Sequence, residues 1–184
     1  MSLITSFDQS LLFFIQSIRF ILLDNVMLFV TTLGDGGAIW IVTSIILLFN
    51  RKTRLIGLMV LLALMLSNII TNNILKDLIA RPRPYVDFPE VSLIIHKLTS
   101  FSFPSGHTSS SFAAAYILSY FFKKTKIWWW LLASLIAFSR IYLFVHYPTD
   151  ILGGIAVGLL CGQLVIMLFK KIKPQLFLNK KTDK

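Results

Sequence analysis

The chain has 184 residues, of which 56% are hydrophobic and only 14% are charged. Soluble domains average roughly 45–50% apolar and about 25% charged residues, so this composition is typical of a membrane protein. The net charge of +10 does not indicate nucleic-acid binding, because the basic residues are grouped at the ends of apolar runs. Residues 1–184 are predicted to form one domain without internal disulfides, since no linker interrupts the pattern and Cys161 is the only cysteine.

Residues 1–35 carry an ambiguous pattern. Residues 10–23 are apolar but include Arg19, and Asp24 follows directly. This segment is therefore either a first membrane span or an amphipathic helix that lies in the membrane interface. The glycines of residues 33–37 predict a turn, with a single longer helix through them as the alternative.

Five apolar runs follow, at residues 38–49, 55–75, 107–122, 127–145 and 151–169. They predict an all-α fold: a polytopic membrane helix bundle of five spans plus the N-terminal segment. Gly154, Gly158 and Gly162 recur at intervals of four, which predicts close helix packing within the bundle, or else a dimer face. The oligomeric state is left open by the sequence.

Twelve of the 18 lysines and arginines lie at one set of span ends, in three groups: Arg51, Lys52, Arg54; Lys123, Lys124, Lys126; and Lys170, Lys171, Lys173, Lys180, Lys181, Lys184. The positive-inside rule makes these ends cytoplasmic, with residues 171–184 as a basic cytoplasmic tail. The opposite ends carry Lys76, His107, Arg140 and His146, which are then extracytoplasmic. We therefore expect a multi-pass protein of the cell membrane with its polar groups outside the cytoplasm.

Three polar clusters lie at these extracytoplasmic ends, where ionisable residues are functional candidates because their burial is costly. Lys76, Arg83 and Arg140 are cations suited to phosphate oxygens. The alternative is that these side chains only extend from the end of a span to the membrane interface and bind nothing. Pro82 and Pro84 predict that the helix ends near Arg81, which leaves Arg83 on an extended piece.

Two of the clusters combine histidine with a helix start. Ser105 and Gly106 predict a helix N-terminus with exposed N–H groups that attract an anion, and His107 follows in the first turn. His146 and Asp150 are four residues apart, so that the carboxylate orients the imidazole and leaves its other nitrogen free for nucleophilic attack. The competing interpretation is a metal site of two histidines and one carboxylate, which three nearby cations disfavour.

Taken together, the patterns Lys76-x6-Arg83-Pro84, Pro104-Ser105-Gly106-His107 and Ser139-Arg140-x5-His146-x3-Asp150 resemble the three-part signature of the type 2 phosphatidic acid phosphatase family, which vanadium-dependent haloperoxidases share. The resemblance covers roughly residues 25–170. It implies a six-helix bundle and a metal-independent phosphatase that needs no cofactor. In such an enzyme His146 is the nucleophile, Asp150 orients it, and His107 protonates the leaving group. The phosphate is held by Lys76, Arg83, Arg140, Ser105 and Gly106.

The expected substrate is a membrane lipid phosphate hydrolysed through a phosphohistidine. The resemblance favours undecaprenyl diphosphate, with phosphatidylglycerophosphate, phosphatidic acid and lipid A as alternatives. A non-enzymatic anionic-lipid binder is the alternative from another functional class, since cations alone suffice for binding. The membrane spans argue against a haloperoxidase. No nucleic acid is expected as a partner.

Overall fold

The computed structural model describes residues 3–178, and all regular secondary structure in that range is helical. The all-α prediction is therefore confirmed. The α-helices are α1 (Leu3–Ser17), α2 (Ile21–Gly34), α3 (Ala38–Phe49), α4 (Arg54–Asn68), α5 (Lys76–Ile79), α6 (Pro84–Asp87), α7 (Gly106–Phe121), α8 (Lys126–Tyr142), α9 (Pro148–Ile172) and α10 (Gln175–Leu178).

Three helical stretches in the described range have the length and apolar composition to cross a membrane: Ile21–Phe49, Arg54–Asp87 and Pro148–Ile172. The protein is thus a membrane protein, while the count of five spans stays a prediction. The predicted cytoplasmic tail continues beyond Leu178, and its residues 179–184 lie outside the described residues.

The N-terminal segment forms two helices that pack on the end of the bundle nearest the polar clusters. In α1, Gln16 donates from Nε2 to the carbonyl of Tyr142 over 2.9 Å. In α2, Asp24 accepts a 2.6 Å hydrogen bond from the Tyr142 hydroxyl. Gly36 and Gly37 then adopt φ values of 58° and 76°, which L side chains rarely take, so the predicted turn between α2 and α3 is confirmed.

A π-helical segment connects α4 to the short helix α5. It spans Ile69–Leu75 and continues the α4 axis towards Lys76. Single π-turns of this kind are frequent at functional sites. The helix ends where Ala80 takes a left-handed conformation with φ 47°, and Arg83 follows in extended backbone with ψ 157°. The sequence prediction for this junction is confirmed.

Helix α7 lies at the centre of the bundle, between α4, α8 and α9. The glycines of α9 allow the two backbones to approach closely: a Cβ atom on Gly158 would lie 2.4 Å from the carbonyl oxygen of Ser109 in α7. The predicted packing role of these glycines is thus confirmed. On another face of α7, Trp40 of α3 donates from Nε1 to Ser111 Oγ over 2.9 Å. Since α7 begins at Gly106, this packing also sets the position of His107.

Candidate active site

A cavity of about 470 Å³ opens at the end of the bundle where the three polar clusters meet. Six of the eight predicted site residues line it: Lys76, Arg83, Gly106, His107, Arg140 and His146. The residues that line the cavity within the described part of the chain include no carboxylate. The remaining two predicted residues, Ser105 and Asp150, are fully buried behind the wall.

Arg83 is held rigidly by the loop that precedes α7. Its Nε donates to the carbonyl oxygen of Ser100 over 2.7 Å, and one terminal nitrogen donates to the carbonyl of Val145 over 2.8 Å. The other terminal nitrogen donates to Ser100 Oγ and to the carbonyl of Phe101, over 3.0 and 3.1 Å. Arg83 is only 3% exposed, so these contacts fix a positive charge at the cavity wall.

Arg140 differs from Arg83 because part of its guanidinium has no acceptor. One terminal nitrogen donates to Thr31 Oγ1 of α2. Its Nε is the one buried side-chain nitrogen or oxygen of residues 3–178 that has no hydrogen-bond partner. Buried polar groups are normally satisfied, so Arg140 keeps a donor that no residue of the described range uses. Lys76 adds a third positive charge and donates to Ser100 Oγ over 3.3 Å.

His146 lies in the connection between α8 and α9 and is 2% exposed. Its Nδ1 is 3.5 Å from Asp150 Oδ2 and 3.4 Å from Ser102 Oγ, while its Nε2 is 3.3 Å from a terminal nitrogen of Arg83. The two acceptors assign the proton to Nδ1, which leaves a lone pair on Nε2. Burial lowers the pKa of His146 to about 3, and the charges of Arg83 and Arg140 add to this against the opposing effect of Asp150. The ring is therefore neutral near pH 7.

Asp150 is surrounded by donors. Its Oδ2 accepts from Ser102 Oγ over 2.5 Å and from the backbone N–H of Tyr147 over 2.8 Å. Its Oδ1 accepts from Arg81 over 2.7 Å. Arg81 is thus an ion-pair partner of Asp150 and is not among the residues that line the cavity. These contacts fix the carboxylate beside His146 Nδ1.

The start of α7 brings the second cluster to the cavity. Ser105 Oγ accepts hydrogen bonds from the N–H and the hydroxyl of Thr108, so the predicted N-cap is confirmed. Its hydroxyl serves the cap, whereas Gly106 and His107 line the cavity. His107 Nε2 donates to Asp35 Oδ1 over 2.8 Å. A Cβ atom on Gly34 would lie 2.7 Å from the His107 ring, so glycine there lets α2 approach it.

Several residues that contact the predicted ones were not predicted from the sequence. The sequence signal for Ser100 and Ser102 was the serine-rich stretch directly before Pro104. Asp35 and Thr31 belong to the N-terminal segment, where the only signal was an acid inside a glycine turn. Among residues 3–178, no group of three or more His, Cys, Asp or Glu residues is placed to hold a metal ion.

The chain is similar to a known protein family and to several individual proteins. Residues 57–174 match the family model described as the PAP2 superfamily. The chain is 34% identical over 165 residues to phosphatidylglycerophosphatase B of Bacillus subtilis, covering 82% of this chain and 77% of that protein. It is 29% identical over 152 residues to the undecaprenyl-diphosphatase BcrC of the same organism, covering 83% and 78%. The crystal structure of a transmembrane PAP2-type phosphatidylglycerolphosphate phosphatase from Bacillus subtilis superposes with a TM-score of 0.77 at 33% identity, covering 94% and 89%.

Proposed function

The chain belongs to the PAP2 superfamily and is a lipid phosphatase, and on that premise we propose that it hydrolyses a lipid diphosphate through a phosphohistidine on His146. The observation that carries this proposal is the neutral, buried imidazole whose Nε2 lies 3.3 Å from a terminal nitrogen of Arg83, in a cavity that Lys76 and Arg140 also line. A cavity with fixed positive charge and a nucleophile, but without a lining carboxylate, suits a phosphoryl group under attack.

In the first step, His146 Nε2 attacks the terminal phosphorus. An N–P bond forms, the P–O bond to the leaving group breaks, and His107 gives its proton to the leaving oxygen. The imidazole becomes positively charged in this step, and Asp150 stabilises it from the Nδ1 side. Arg140, with its unpaired Nε, binds the charge that develops on the phosphoryl oxygens.

In the second step, water replaces His146 on phosphorus. His107, which has given up its proton, takes one from the attacking water. The N–P bond breaks, His146 returns to the neutral imidazole, and inorganic phosphate leaves. Each group thus returns to its starting protonation state, as a catalytic cycle requires.

We propose undecaprenyl diphosphate as the substrate and undecaprenyl phosphate as the lipid product. Lys76, Arg83 and Arg140 line the cavity without a compensating carboxylate, and this excess of positive charge suits a diphosphate better than a monoester. Phosphatidylglycerophosphate is the second candidate, because phosphatidylglycerophosphatase B is 34% identical to this chain. The cavity is proposed to face the extracytoplasmic side, because the lysines and arginines concentrate at the other ends of the helices.

The replacement His146→Ala tests the nucleophile. Purified in detergent, this variant should release no phosphate from undecaprenyl diphosphate and should form no acid-labile phosphoprotein. His96→Ala is the matched control, because His96 is exposed and does not line the cavity. Turnover by the His146 variant at the wild-type rate would exclude the proposed mechanism.

A panel of lipid phosphates tests the substrate. The kcat/KM for undecaprenyl diphosphate should exceed that for phosphatidylglycerophosphate and for phosphatidic acid, and it should survive exhaustive chelation of metal ions. The reverse order of kcat/KM would identify phosphatidylglycerophosphate as the preferred substrate. Loss of activity on chelation would contradict the metal-independent mechanism.

The role of His107 is tested by the choice of leaving group. His107→Gln should slow release from a lipid phosphate far more than release from p-nitrophenyl phosphate, because p-nitrophenolate leaves without a proton. Equal losses on both substrates would argue against His107 as the acid.

A further inference from the structure

The first helix carries a carboxylate that is linked to the active site. Asp8 of α1 is fully buried, and every hydrogen bond that the structure gives it goes to Arg81 or Thr149. A buried carboxylate is costly unless it is paired, so this placement has to be compensated by specific contacts. Asp8 lies outside residues 57–174, the part of the chain that the family model matches.

The contacts of Asp8 fall on Arg81, which donates to Asp150, and on Thr149, the residue that precedes Asp150. Its Oδ2 accepts from Arg81 over 2.6 Å, and the same guanidinium donates from its other terminal nitrogen to Asp150 Oδ1 over 2.7 Å. Asp8 also accepts from the backbone N–H and the hydroxyl of Thr149, over 2.9 and 2.6 Å. Thr149 is in the first turn of α9, directly before Asp150. Asp8 therefore satisfies a backbone N–H in the first turn of α9, the helix that carries Asp150.

This arrangement also divides the charge of Arg81 between two carboxylates. The guanidinium lies over the ring of Tyr147, 4.1 Å from its centroid, so it has little freedom to turn. Without Asp8, the full positive charge would be drawn to Asp150 and would compete with the imidazole for that carboxylate. Asp8, Arg81 and Thr149 do not line the cavity, so none of them meets a phosphate there.

We infer that Asp8 is a positioning residue for the phosphatase reaction: through Arg81 and Thr149 it holds Asp150 behind His146. The inference rests on the proposed roles of Asp150 and His146. It gives the N-terminal segment a part in catalysis, since Asp8 of α1 helps to position the carboxylate that stabilises the His146 imidazolium. Because Asp8 acts on the imidazole side and not on the phosphate side, its loss affects the chemical step and leaves substrate binding intact.

The test compares Asp8→Asn with Asp24→Asn. Both remove one carboxylate from the N-terminal segment that is ion-paired with an arginine, but Asp24 contacts Arg19 and Tyr142 away from the cavity. Phosphate release is measured per folded protein, using the monodisperse gel-filtration peak. Asp8→Asn should lower kcat about tenfold or more with KM unchanged. Asp24→Asn should keep both constants, whatever it does to the unfolding midpoint.

A double-variant cycle separates positioning from simple stability. Because Asp8 acts in part through Arg81, Asp8→Asn combined with Arg81→Gln should lose less kcat than the product of the two single losses. Multiplicative losses, or a wild-type kcat in Asp8→Asn, would overturn the inference. If Asp8→Asn does not fold, Thr149→Val replaces it: loss of the hydroxyl should reduce kcat with KM unchanged, and a wild-type kcat would overturn the inference.

The parallel assay of His146→Ala keeps the two proposals apart. An inactive His146 variant beside a fully active Asp8 variant would refute only the role of Asp8. An active His146 variant would refute the proposed function itself.

Discussion

The two buried arginines of the cavity are expected to respond in opposite ways to the same substitution. Arg83 donates to the carbonyl oxygens of Ser100, Val145 and Phe101, whereas Arg140 has an unpaired Nε and forms its hydrogen bond with Thr31. Arg83 thus stabilises the fold through several contacts. Arg140 keeps donor capacity for an anion.

For Arg140→Gln we expect a functional loss without a loss of stability. Removing one preorganised donor from an anion site costs about 10²–10³ in kcat. No carboxylate of the described residues forms an ion pair with Arg140, so its removal relieves an uncompensated buried charge. The free energy of unfolding should therefore stay the same or rise by about 1 kcal/mol.

For Arg83→Gln we expect the fold to suffer. One amide cannot satisfy three carbonyl oxygens, and each buried acceptor left without a donor costs about 1–3 kcal/mol. If the amide serves one of them, the two remaining acceptors lower the free energy of unfolding by about 2–6 kcal/mol in total, and the thermal midpoint should fall by about 2–4 °C for each kcal/mol lost.

Thermal unfolding in detergent and phosphate release from the lipid substrate are measured on the same preparations. An equal fall of the thermal midpoint in Arg140→Gln and Arg83→Gln would refute the different roles of the two arginines. Retention of most of the wild-type kcat by Arg140→Gln would refute the role of Arg140 as a hydrogen-bond donor to the phosphate.

Three more outcomes follow from the contacts. Ser102→Ala removes the 2.5 Å hydrogen bond to Asp150 and should lower kcat about tenfold with an unchanged KM, as steady-state assays would show. Gly158→Ala places a Cβ atom 2.4 Å from a carbonyl oxygen and should lower the free energy of unfolding by about 1–3 kcal/mol, whereas exposed Ala156→Val should not. The pKa of His146 is about 3 in the folded protein against about 6.5 when unfolded, so the unfolded state binds more protons between these values. Stability should fall by roughly 2 kcal/mol as the pH drops from 7 to 5, and His146→Gln should remove that part of the dependence in pH-resolved thermal melts.

The signature residues were predictable because their residue types and their spacing along the chain are enough to indicate their chemistry. Six of the eight predicted residues line one cavity, since apolar runs of membrane length have to alternate in direction and so bring their polar ends together. The helix break before Arg83 and the cap at Ser105 followed from proline and serine chemistry, which acts over a few residues.

The contacts between distant segments were not predictable in the same way. Asp8 meets Arg81 and Thr149 across 73 and 141 positions, and Asp35 meets His107 across 72. The ambiguous pattern of residues 1–35 left open where these two carboxylates lie. Their partners lie on α7, on α9 and in the connection between α5 and α6, so they depend on how the N-terminal segment packs against the rest of the bundle.

The sequence by itself determined the helical class, the membrane environment, the family resemblance and the residue types of the site, because these depend on composition and local spacing. Only the tertiary structure decided which cation keeps an unpaired donor, which carboxylates stand behind the histidines, and that the first helix reaches the site. These features arise from packing between segments far apart in the chain, and packing is a property of surfaces that local patterns do not encode.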